Sequence, residues 1–143
     1  MFASIGTRRM SDKYFCDTNV CLYALHADTP DKAGKAMSAL ATGPTISTQV
    51  LGETVRTMLV KFHFDPEDAK KQVHFLSTRC TVVTLETADY LEAIRVFRDY
   101  RLSWWDSLIV ATALRAGCSI LLSEDMQHGF LIDGKLAVVN PFR

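Results

Sequence analysis

The stretch Tyr14-Phe15-Cys16-Asp17-Thr18-Asn19 is the most informative part of the chain. Its first three residues are typical of a short buried strand, and Asp17 follows that strand directly. The apolar run at residues 119–122 has the same character and is followed by Asp125. Ligands of open α/β sheets bind outside the carboxyl ends of the strands, so we expect both carboxylates to face one crevice. Taken alone, Asp17 is equally compatible with a helix N-cap.

Strands alternate with helices along the rest of the chain. The patterns predict strands over residues 14–16, 45–47, 80–85, 118–122 and 136–139. They predict helices over residues 20–27, 30–43, 48–62, 65–78, 87–100 and 103–116. The expected apolar positions are Leu51, Val55, Met58, Leu59 and Phe62 in the third helix and Leu91, Ile94 and Phe97 in the fifth. This alternation favours an α/β fold with a mostly parallel sheet covered by helices on both faces.

The chain length and the net charge limit the number of domains and the kinds of partner that we expect. The 143 residues suffice for one domain with a hydrophobic core. We assign residues 13–143 to that domain. Residues 1–12 form an N-terminal extension, either a disordered tail or the product of an upstream start, because Met10 opens a stretch that reads like a natural start. The formal net charge is +0, so a nucleic acid or an anionic membrane would have to meet a local basic patch.

The four cysteines show no metal-binding or disulfide pattern. No Cys-x-x-Cys pair is present, and Cys16 and Cys118 fall inside apolar, strand-like runs. We therefore expect reduced thiols in the core of a cytoplasmic protein. No apolar stretch is long enough to span a bilayer, and no export signal is recognised.

Asp106 lies in the first turn of an otherwise apolar helix. At about 100° per residue it is in line with Ile109, Val110 and Ala113. A charged side chain on a buried stripe needs a partner. The alternative reading is a capping box with Ser103 as the N-cap.

Glu53 and Glu124 are weaker candidates by position. Glu53 lies opposite the apolar stripe of its helix, where a solvated glutamate is the alternative. Glu124 adjoins Asp125, and we prefer Asp125 because it stands two residues after Ser123, whose hydroxyl could support a ligand. Carboxylates brought together repel one another unless a positive group joins them, and a divalent cation with oxygen ligands is the usual solution.

Four motifs, in this order, resemble those of PIN domains and particularly of the VapC-type toxins. They are residues 15–20 (FCDTNV), 47–53 (STQVLGE), 105–109 (WDSLI) and 122–126 (LSEDM). The family's acidic quartet carries over to Asp17, Glu53, Asp106 and Asp125. Its supporting asparagine and serine match Asn19 and Ser123. The resemblance covers the chain from about residue 13 to residue 143.

The resemblance implies a three-layer α/β/α sandwich and metal-dependent cleavage of RNA that leaves 5′-phosphate and 3′-hydroxyl ends. It also implies a homodimer and neutralisation by a small antitoxin, as in a type II toxin–antitoxin pair. As a hypothesis, Mg²⁺ or Mn²⁺ is held by Asp17, Asp106 and Asp125, while Glu53 acts directly or through a water. Asn19 and Ser123 would orient the ligands. No histidine lies within the four motifs, so none is expected to act as a base.

RNA contacts are harder to assign from the sequence. Arg95, Arg98 and Arg101 recur along one predicted helix and could track phosphates, although a solvated face is the alternative. Trp104 or Trp105 could stack a splayed base, and core packing is expected for at least one of them. Single-stranded or looped RNA is the expected substrate class.

Two other functions stay open at this point. An aspartyl phosphatase or phosphotransferase would use Asp17 as its nucleophile. That chemistry typically needs a second acid two residues later, where this chain has Asn19. A non-catalytic PIN-like domain that only binds RNA or a partner would be expected to lose part of the quartet, and no acid is lost here.

Overall fold

The computed structural model describes residues 12–143, so the predicted extension lies outside the described residues except for Asp12. The strands are β1 Tyr14–Cys16, β2 Thr45–Ser47, β3 Thr81–Val83, β4 Ile120–Leu122, β5 Leu131–Ile132 and β6 Leu136–Val139. The α-helices are α1 Thr18–Leu25, α2 Pro30–Ala41, α3 Thr48–Arg56, α4 Pro66–Arg79, α5 Thr87–Tyr100 and α6 Trp104–Arg115. A π-helical turn, Thr57–Lys61, continues α3.

The strands form one sheet in the order β3-β2-β1-β4-β6-β5. All neighbouring pairs are parallel except β5 and β6, which are antiparallel. The predicted α/β fold with a mostly parallel central sheet is therefore confirmed. From β1 the chain builds the sheet first towards β3 and then, after β4, in the opposite direction. The carboxyl ends of β1 and β4 thus flank the point where strand order reverses, which is where such sheets bind ligands.

Side-chain caps begin the helices close to their predicted starts. Thr29 accepts a hydrogen bond from the Lys32 backbone N–H at 3.2 Å, and Asp65 accepts one from the Glu67 N–H at 3.0 Å. Gly117 follows α6 with φ +75°, as expected for a C′ glycine. The first helix was predicted over residues 20–27 but lies at Thr18–Leu25. The shift arises because Asp17 itself is the N-cap and accepts from the Thr18 N–H at 2.7 Å.

The apolar stripe predicted for the third helix is not its most buried face. Leu51, Val55, Leu59 and Phe62 are only partly buried, whereas Gln49, Val50, Thr54 and Met58 are buried. The Thr54 hydroxyl donates to the Val50 carbonyl at 2.7 Å, and the Gln49 amide nitrogen donates to the Trp105 carbonyl at 3.2 Å. Gln49 Oε1, by contrast, is buried without a hydrogen-bond partner among the described residues. The π turn also changes the helical phase after Arg56, so a single 3.6-residue period does not describe residues 48–62.

The apolar positions predicted for the fifth helix are exposed. We call Tyr90, Leu91, Ile94 and Phe97 the α5 stripe; their exposed fractions are 42%, 67%, 57% and 49%. The buried face of α5 consists instead of Asp89, Ala93 and Val96. Small Ala93 allows α5 to pack closely on α6, where it joins Leu108 and Ala111 in one cluster.

An ion pair between buried Asp89 and exposed Arg115 fixes α5 against α6. The Asp89 side chain is 1% exposed, and Arg115 donates to its two oxygens at 2.6 and 3.0 Å. Asp89 also accepts from the Glu86 N–H at 2.9 Å, while Arg115 donates to the Thr84 carbonyl at 2.8 Å. These bonds satisfy the charges that helix packing removes from water.

Strand β5 was not predicted, although a hairpin signal is present. Asp133, Gly134 and Lys135 separate β5 from β6, and Asp133 and Gly134 have positive φ, +54° and +63°. The Lys135 N–H donates to the Ile132 carbonyl at 2.9 Å. Asp-Gly between two apolar runs favours a two-residue type I′ turn. Asp133 then accepts from both Arg95 and the Tyr100 hydroxyl at 2.6 Å, which ties the hairpin to α5.

The cysteine prediction is confirmed within the described residues: Cys16, Cys21, Cys80 and Cys118 are all free and buried. Burial raises their thiol pKa values, so they remain uncharged core residues. Across residues 12–143, no helix has the length and apolar character needed to cross a membrane.

The Asp133 contacts make stability depend on acid pH. Hydrogen bonds from Arg95 and then Tyr100 hold the pKa of Asp133 below its ordinary value. A lowered folded-state pKa contributes stability above the unfolded-state pKa of about 3.9. That contribution disappears as the pH falls through the lower folded-state value. Asp133→Asn keeps the positive φ accessible and should cost about 1 kcal/mol of unfolding free energy at pH 7.

Urea denaturation at pH 7 and at pH 2–3 measures this effect. The difference between wild type and Asp133→Asn should shrink at the lower pH, because the wild-type carboxyl is then protonated. Asp28→Asn is the control, since Asp28 is 75% exposed and lies 4.0 Å from its nearest lysine nitrogen. Equal destabilisation by Asp133→Asn at both pH values would contradict the assignment.

Candidate active site

Asp17 lies at the centre of the carboxyl edge of the sheet. It follows β1 directly, and its backbone N–H donates to the Leu122 carbonyl at the end of β4 at 3.0 Å. Its side chain is 5% exposed. Its Oδ1 accepts from the Thr18 N–H, so the carboxylate also caps α1. Asp17 can therefore cap α1 and also contribute its carboxylate to the site.

Ser123 and Asn19 join Asp17 to Asp125. The Ser123 hydroxyl donates to Asp17 Oδ2 at 2.7 Å and accepts from the Asp125 N–H at 3.1 Å. The Asn19 amide nitrogen lies 3.3 Å from Asp17 Oδ2 and 3.2 Å from Asp125 Oδ2. Its amide oxygen accepts from the Glu124 N–H at 3.2 Å. The two polar side chains thus hold both strand-end carboxylates at the same edge.

Glu53 reaches this edge from α3. The Thr18 hydroxyl donates to Glu53 Oε1 at 3.3 Å, and the glutamate is half-buried. Glu53 is therefore not a solvated helix residue. The sequence reading missed Thr18, although its position directly after Asp17, in the first turn of α1, was the available signal.

Asp106 reaches the edge from the first turn of α6. Ser103 is the N-cap, and its hydroxyl accepts from the Asp106 N–H at 3.1 Å. Asp106 is half-buried, while the next six residues of α6 and Ala113 are buried. The expected cap is present, and the side chain remains close enough to the other acids to interact with them electrostatically.

Burial and repulsion between carboxylates raise the pKa values of Asp17, Glu53 and Asp106. Desolvation raises the pKa of Asp17 to about 7, hydrogen bonds from Ser123 and Thr18 oppose this shift, and repulsion by Asp106 and Asp125 adds to it. Desolvation, with repulsion from Asp106 and Asp125, also raises the pKa of Glu53. Desolvation raises the pKa of Asp106, and Asp125 adds to the effect. Within residues 12–143 no basic side chain contributes to these three shifts, so no described cation compensates the acidic cluster.

The chemistry of this cluster fits a hard divalent cation. All four side chains offer carboxylate oxygens, the ligands that Mg²⁺ and Mn²⁺ favour, and a cation would relieve their repulsion. As they stand, however, no three carboxylate, imidazole or thiol groups in residues 12–143 are placed to hold one metal ion. Asp17 also shares its oxygens with Thr18, Ser123 and Asn19. Joint ligation would therefore require the acidic side chains to converge further.

Glu124 and His128 lie apart from the cluster. Glu124 accepts from the Tyr23 hydroxyl at 2.7 Å and pairs with Lys32 at 3.0 Å. It is thus held by α1 and α2, which favours Asp125 as the strand-end acid. His128 Nδ1 accepts from the Asn140 N–H at 3.0 Å, so this ring stabilises the backbone after β6.

The predicted RNA-contact residues are not equivalent in the structure. Arg95 pairs with Glu92, Asp99 and Asp133, and Arg98 pairs with Asp99. Arg101 is exposed. Trp104 is partly buried against Ala93, Leu108 and Ala111 and lies near the Tyr90 ring. Arg95 and Trp104 are therefore largely occupied by contacts within the chain.

A pocket beside the cluster contains Gly52, Arg56 and Thr57, which were not among the predicted site residues. The Trp105 pocket has a volume of about 340 Å³ and is lined by Gly52, Glu53, Arg56, Thr57 and Trp105. Trp105 is 60% exposed, in contrast to Trp104. The tryptophan pair in the sequence was a signal for this pocket, but only packing distinguishes the two indoles.

One family model matches the chain: the PIN domain model, over residues 14–129. That segment contains the whole acidic quartet. A comparison with curated protein sequences gives no significant match.

Several solved structures share the fold. A toxin–antitoxin complex from Klebsiella pneumoniae is 18% identical with a TM-score of 0.67, and the match covers 90% of this chain and 98% of that chain. The sarcin–ricin-loop-cleaving toxin VapC20 from Mycobacterium tuberculosis is 24% identical, with a TM-score of 0.62 and coverages of 79% and 92%. DNA-bound VapBC from Salmonella typhimurium is 15% identical, with a TM-score of 0.66 and coverages of 89% and 96%. At these identities the likeness shows the fold alone.

The bridging role of Asn19 gives a test of the site's geometry. Asn19→Asp replaces the amide that donates to Asp17 and Asp125 with a third carboxylate. At pH 8 and with EDTA, the unfolding free energy should fall by about 2 kcal/mol, because donors are lost and repulsion is added. Urea denaturation measures the change. Gln127→Glu, at an exposed loop position, is the matched control; equal stability of Asn19→Asp and wild type would refute the bridge.

Proposed function

The chain belongs to the PIN domain family, and from that premise we propose that it is a metal-dependent endoribonuclease, the toxin of a type II toxin–antitoxin pair. The observation that carries the proposal is the electrostatic interaction of four acids at the carboxyl edge of the sheet: burial and repulsion raise the pKa values of Asp17, Glu53 and Asp106, and no basic side chain of residues 12–143 is among the causes. The substrate would be single-stranded or looped RNA. The toxin assignment is supported by the toxin–antitoxin complexes among the structural neighbours.

Asp17, Asp106 and Asp125 would hold Mg²⁺ or Mn²⁺, with Glu53 acting directly or through a water. When bound, such a cation makes water a better nucleophile at neutral pH and offsets the charge of the phosphate. The chain's own contribution is positioning. Ser123 and Asn19 restrain Asp17, and Thr18 restrains Glu53. Hydrolysis would leave 5′-phosphate and 3′-hydroxyl ends.

Loss of one acid should abolish most of the activity. Asp17→Asn keeps the side-chain shape but removes the charge, and RNA cleavage with Mg²⁺ should fall at least about a hundredfold, because transition-state charge stabilisation worth several kcal/mol is lost. EDTA should stop cleavage by wild type, and added Mg²⁺ or Mn²⁺ should restore it. Labelled RNA resolved on a denaturing gel provides the measurement.

Asp28→Asn is the matched control, since it makes the same chemical change at an exposed residue outside the site. It should cleave like wild type. In cells, expression of wild type should arrest growth, and Asp106→Ala should relieve the arrest. Undiminished cutting by Asp17→Asn, or cutting in EDTA, would refute the proposed role of the acids.

A second copy of the chain is proposed to cover the α5 stripe. The four stripe residues lie on one helix face and are 42–67% exposed. Contiguous exposed apolar residues favour a protein contact, and the family resemblance implies a homodimer.

A small antitoxin is proposed as the other partner. Complexes of this kind occur among the structural neighbours. The apolar groove between α3 and α4, lined in part by Val55, Leu59, Ala69 and Val73, could receive a partner helix.

Light scattering tests both partners. The chain alone should have the mass of two copies, and Leu91→Glu combined with Ile94→Glu should reduce it to one, because charge is placed on a buried dimer face. Met37→Glu, at another exposed apolar position, is the control. Co-expression with a short reading frame next to the gene should give a larger complex that does not cleave RNA. A monomeric wild type, or an adjacent product that neither binds nor inhibits, would remove the corresponding partner.

A further inference from the structure

We propose that the Trp105 pocket is a nucleobase subsite, in which the indole of Trp105 stacks on one unpaired base next to the cleaved phosphodiester and Arg56 contacts the adjoining phosphate. This inference rests on the proposed nuclease function and names a determinant of its substrate class. It moves the main RNA contacts from Arg95 and Trp104 to Arg56 and Trp105.

The position of the pocket supports this assignment. Glu53 of the quartet lines the pocket directly. Trp105 immediately precedes Asp106, and Gly52 immediately precedes Glu53, so both walls continue into acidic residues of the site. A nucleotide whose phosphodiester lies at the acids therefore has a neighbouring base within reach of the pocket.

Exposure and anchoring distinguish Trp105 from its neighbour. The Trp105 side chain is 60% exposed, which leaves aromatic surface open to a ligand. Its backbone is fixed, because its carbonyl accepts from the buried Gln49 amide at 3.2 Å. A restrained backbone with an exposed ring is what base stacking requires, because binding of the base then costs the protein little conformational entropy.

The Arg56 guanidinium gives the Trp105 pocket a positive group that suits the phosphate of a nucleotide. Arg95, Arg98 and Arg115 each pair with carboxylates of this chain. Among the described residues Arg56 forms no ion pair, and it lines the pocket beside the indole. A free guanidinium next to an aromatic face suits a phosphate followed by a base.

The volume of the Trp105 pocket and its open wall at Gly52 suit one nucleotide rather than a duplex. The cavity of about 340 Å³ is at the lower end of the range for small-ligand sites, about 300–1,000 Å³. A Cβ at Gly52 would meet nothing within 4 Å, so the glycine leaves this wall open. The floor changes from α-helix to a π turn at Thr57, a local feature often found at functional sites.

Fluorescence tests the stacking without requiring cleavage. The chain has two tryptophans, so Trp104→Phe leaves Trp105 as the sole indole. In an Asp17→Asn, Trp104→Phe background, a single-stranded RNA oligonucleotide should quench the emission of Trp105. The same backbone with abasic residues should quench it far less, because no base can stack. Equal quenching by both oligonucleotides, or none by either, overturns the subsite.

Kinetics test its contribution to the reaction. Trp105→Ala should lower kcat/KM for single-stranded RNA about ten- to hundredfold, the effect of one stacked base, and Trp105→Phe should retain most of the activity. Arg56→Ala should reduce the salt dependence of RNA binding. Gly52→Leu should lower kcat/KM like Trp105→Ala by filling the pocket. Gly34→Leu is the matched control, since Gly34 is also helical with nothing within 4 Å of its Cβ position.

The outcomes separate the subsite from the nuclease proposal. Base-dependent quenching without cleavage by wild type would support the subsite and refute the nuclease. Cleavage that Trp105→Ala and Gly52→Leu leave unchanged would support the nuclease and refute the subsite. A loss in Trp105→Ala that Trp105→Phe does not rescue and Gly52→Leu does not reproduce would indicate a structural role only. A change in the mass of the assembly with Trp105→Ala, together with no quenching of Trp105 by either oligonucleotide, would overturn the subsite and assign the indole to a protein contact.

Discussion

The rest of the site depends on the burial of one carboxylate, that of Asp17, at the end of the central strand. Removing a charge from water costs several kcal/mol unless hydrogen bonds or opposite charges replace the solvent. Here the Thr18 N–H, the Ser123 hydroxyl and the Asn19 amide supply the hydrogen bonds. Within residues 12–143 no cationic side chain supplies the charge, and the neighbouring acids increase the cost. The fold thus maintains a concentrated negative potential at one edge of the sheet, which is the physical basis of the proposed metal-assisted chemistry.

The sheet topology explains why this potential arises where it does. β1 lies between β2 and β4, so the acids that follow β1 and β4 meet at the point where strand order reverses. The first turns of α1 and α6 face the same region, and α3 brings Glu53 to the Thr18 hydroxyl. Positive helix N-termini near the carboxylates offset part of their repulsion. The ion pair between buried Asp89 and Arg115 holds α5 on α6 and so helps to fix the helix that carries Asp106.

The α5 stripe and the Trp105 pocket both present apolar or aromatic groups to solvent. They differ in what surrounds them. The stripe consists of large apolar side chains on one helix face, which suits a protein surface. The pocket combines one indole, a quartet acid and a guanidinium that forms no ion pair within residues 12–143, which suits a nucleotide. The proposed partner contact and the proposed substrate contact would therefore use different residues of the same domain.

The sequence by itself determined the α/β class and most element bounds, and its motifs nominated the acidic quartet through their resemblance to PIN domains. Strand-length apolar runs, N-cap residues before proline and acids after strands are local signals that need no knowledge of the fold. Tertiary structure decided which face of α5 is buried, since Ala93 and the Asp89–Arg115 pair outweigh Leu91, Ile94 and Phe97 there. It also decided that Trp105 rather than Trp104 is exposed and that, within residues 12–143, Arg95 pairs with acids while Arg56 forms no ion pair. Burial and ion pairing depend on neighbours distant in the chain, so periodicity along one helix could not predict them.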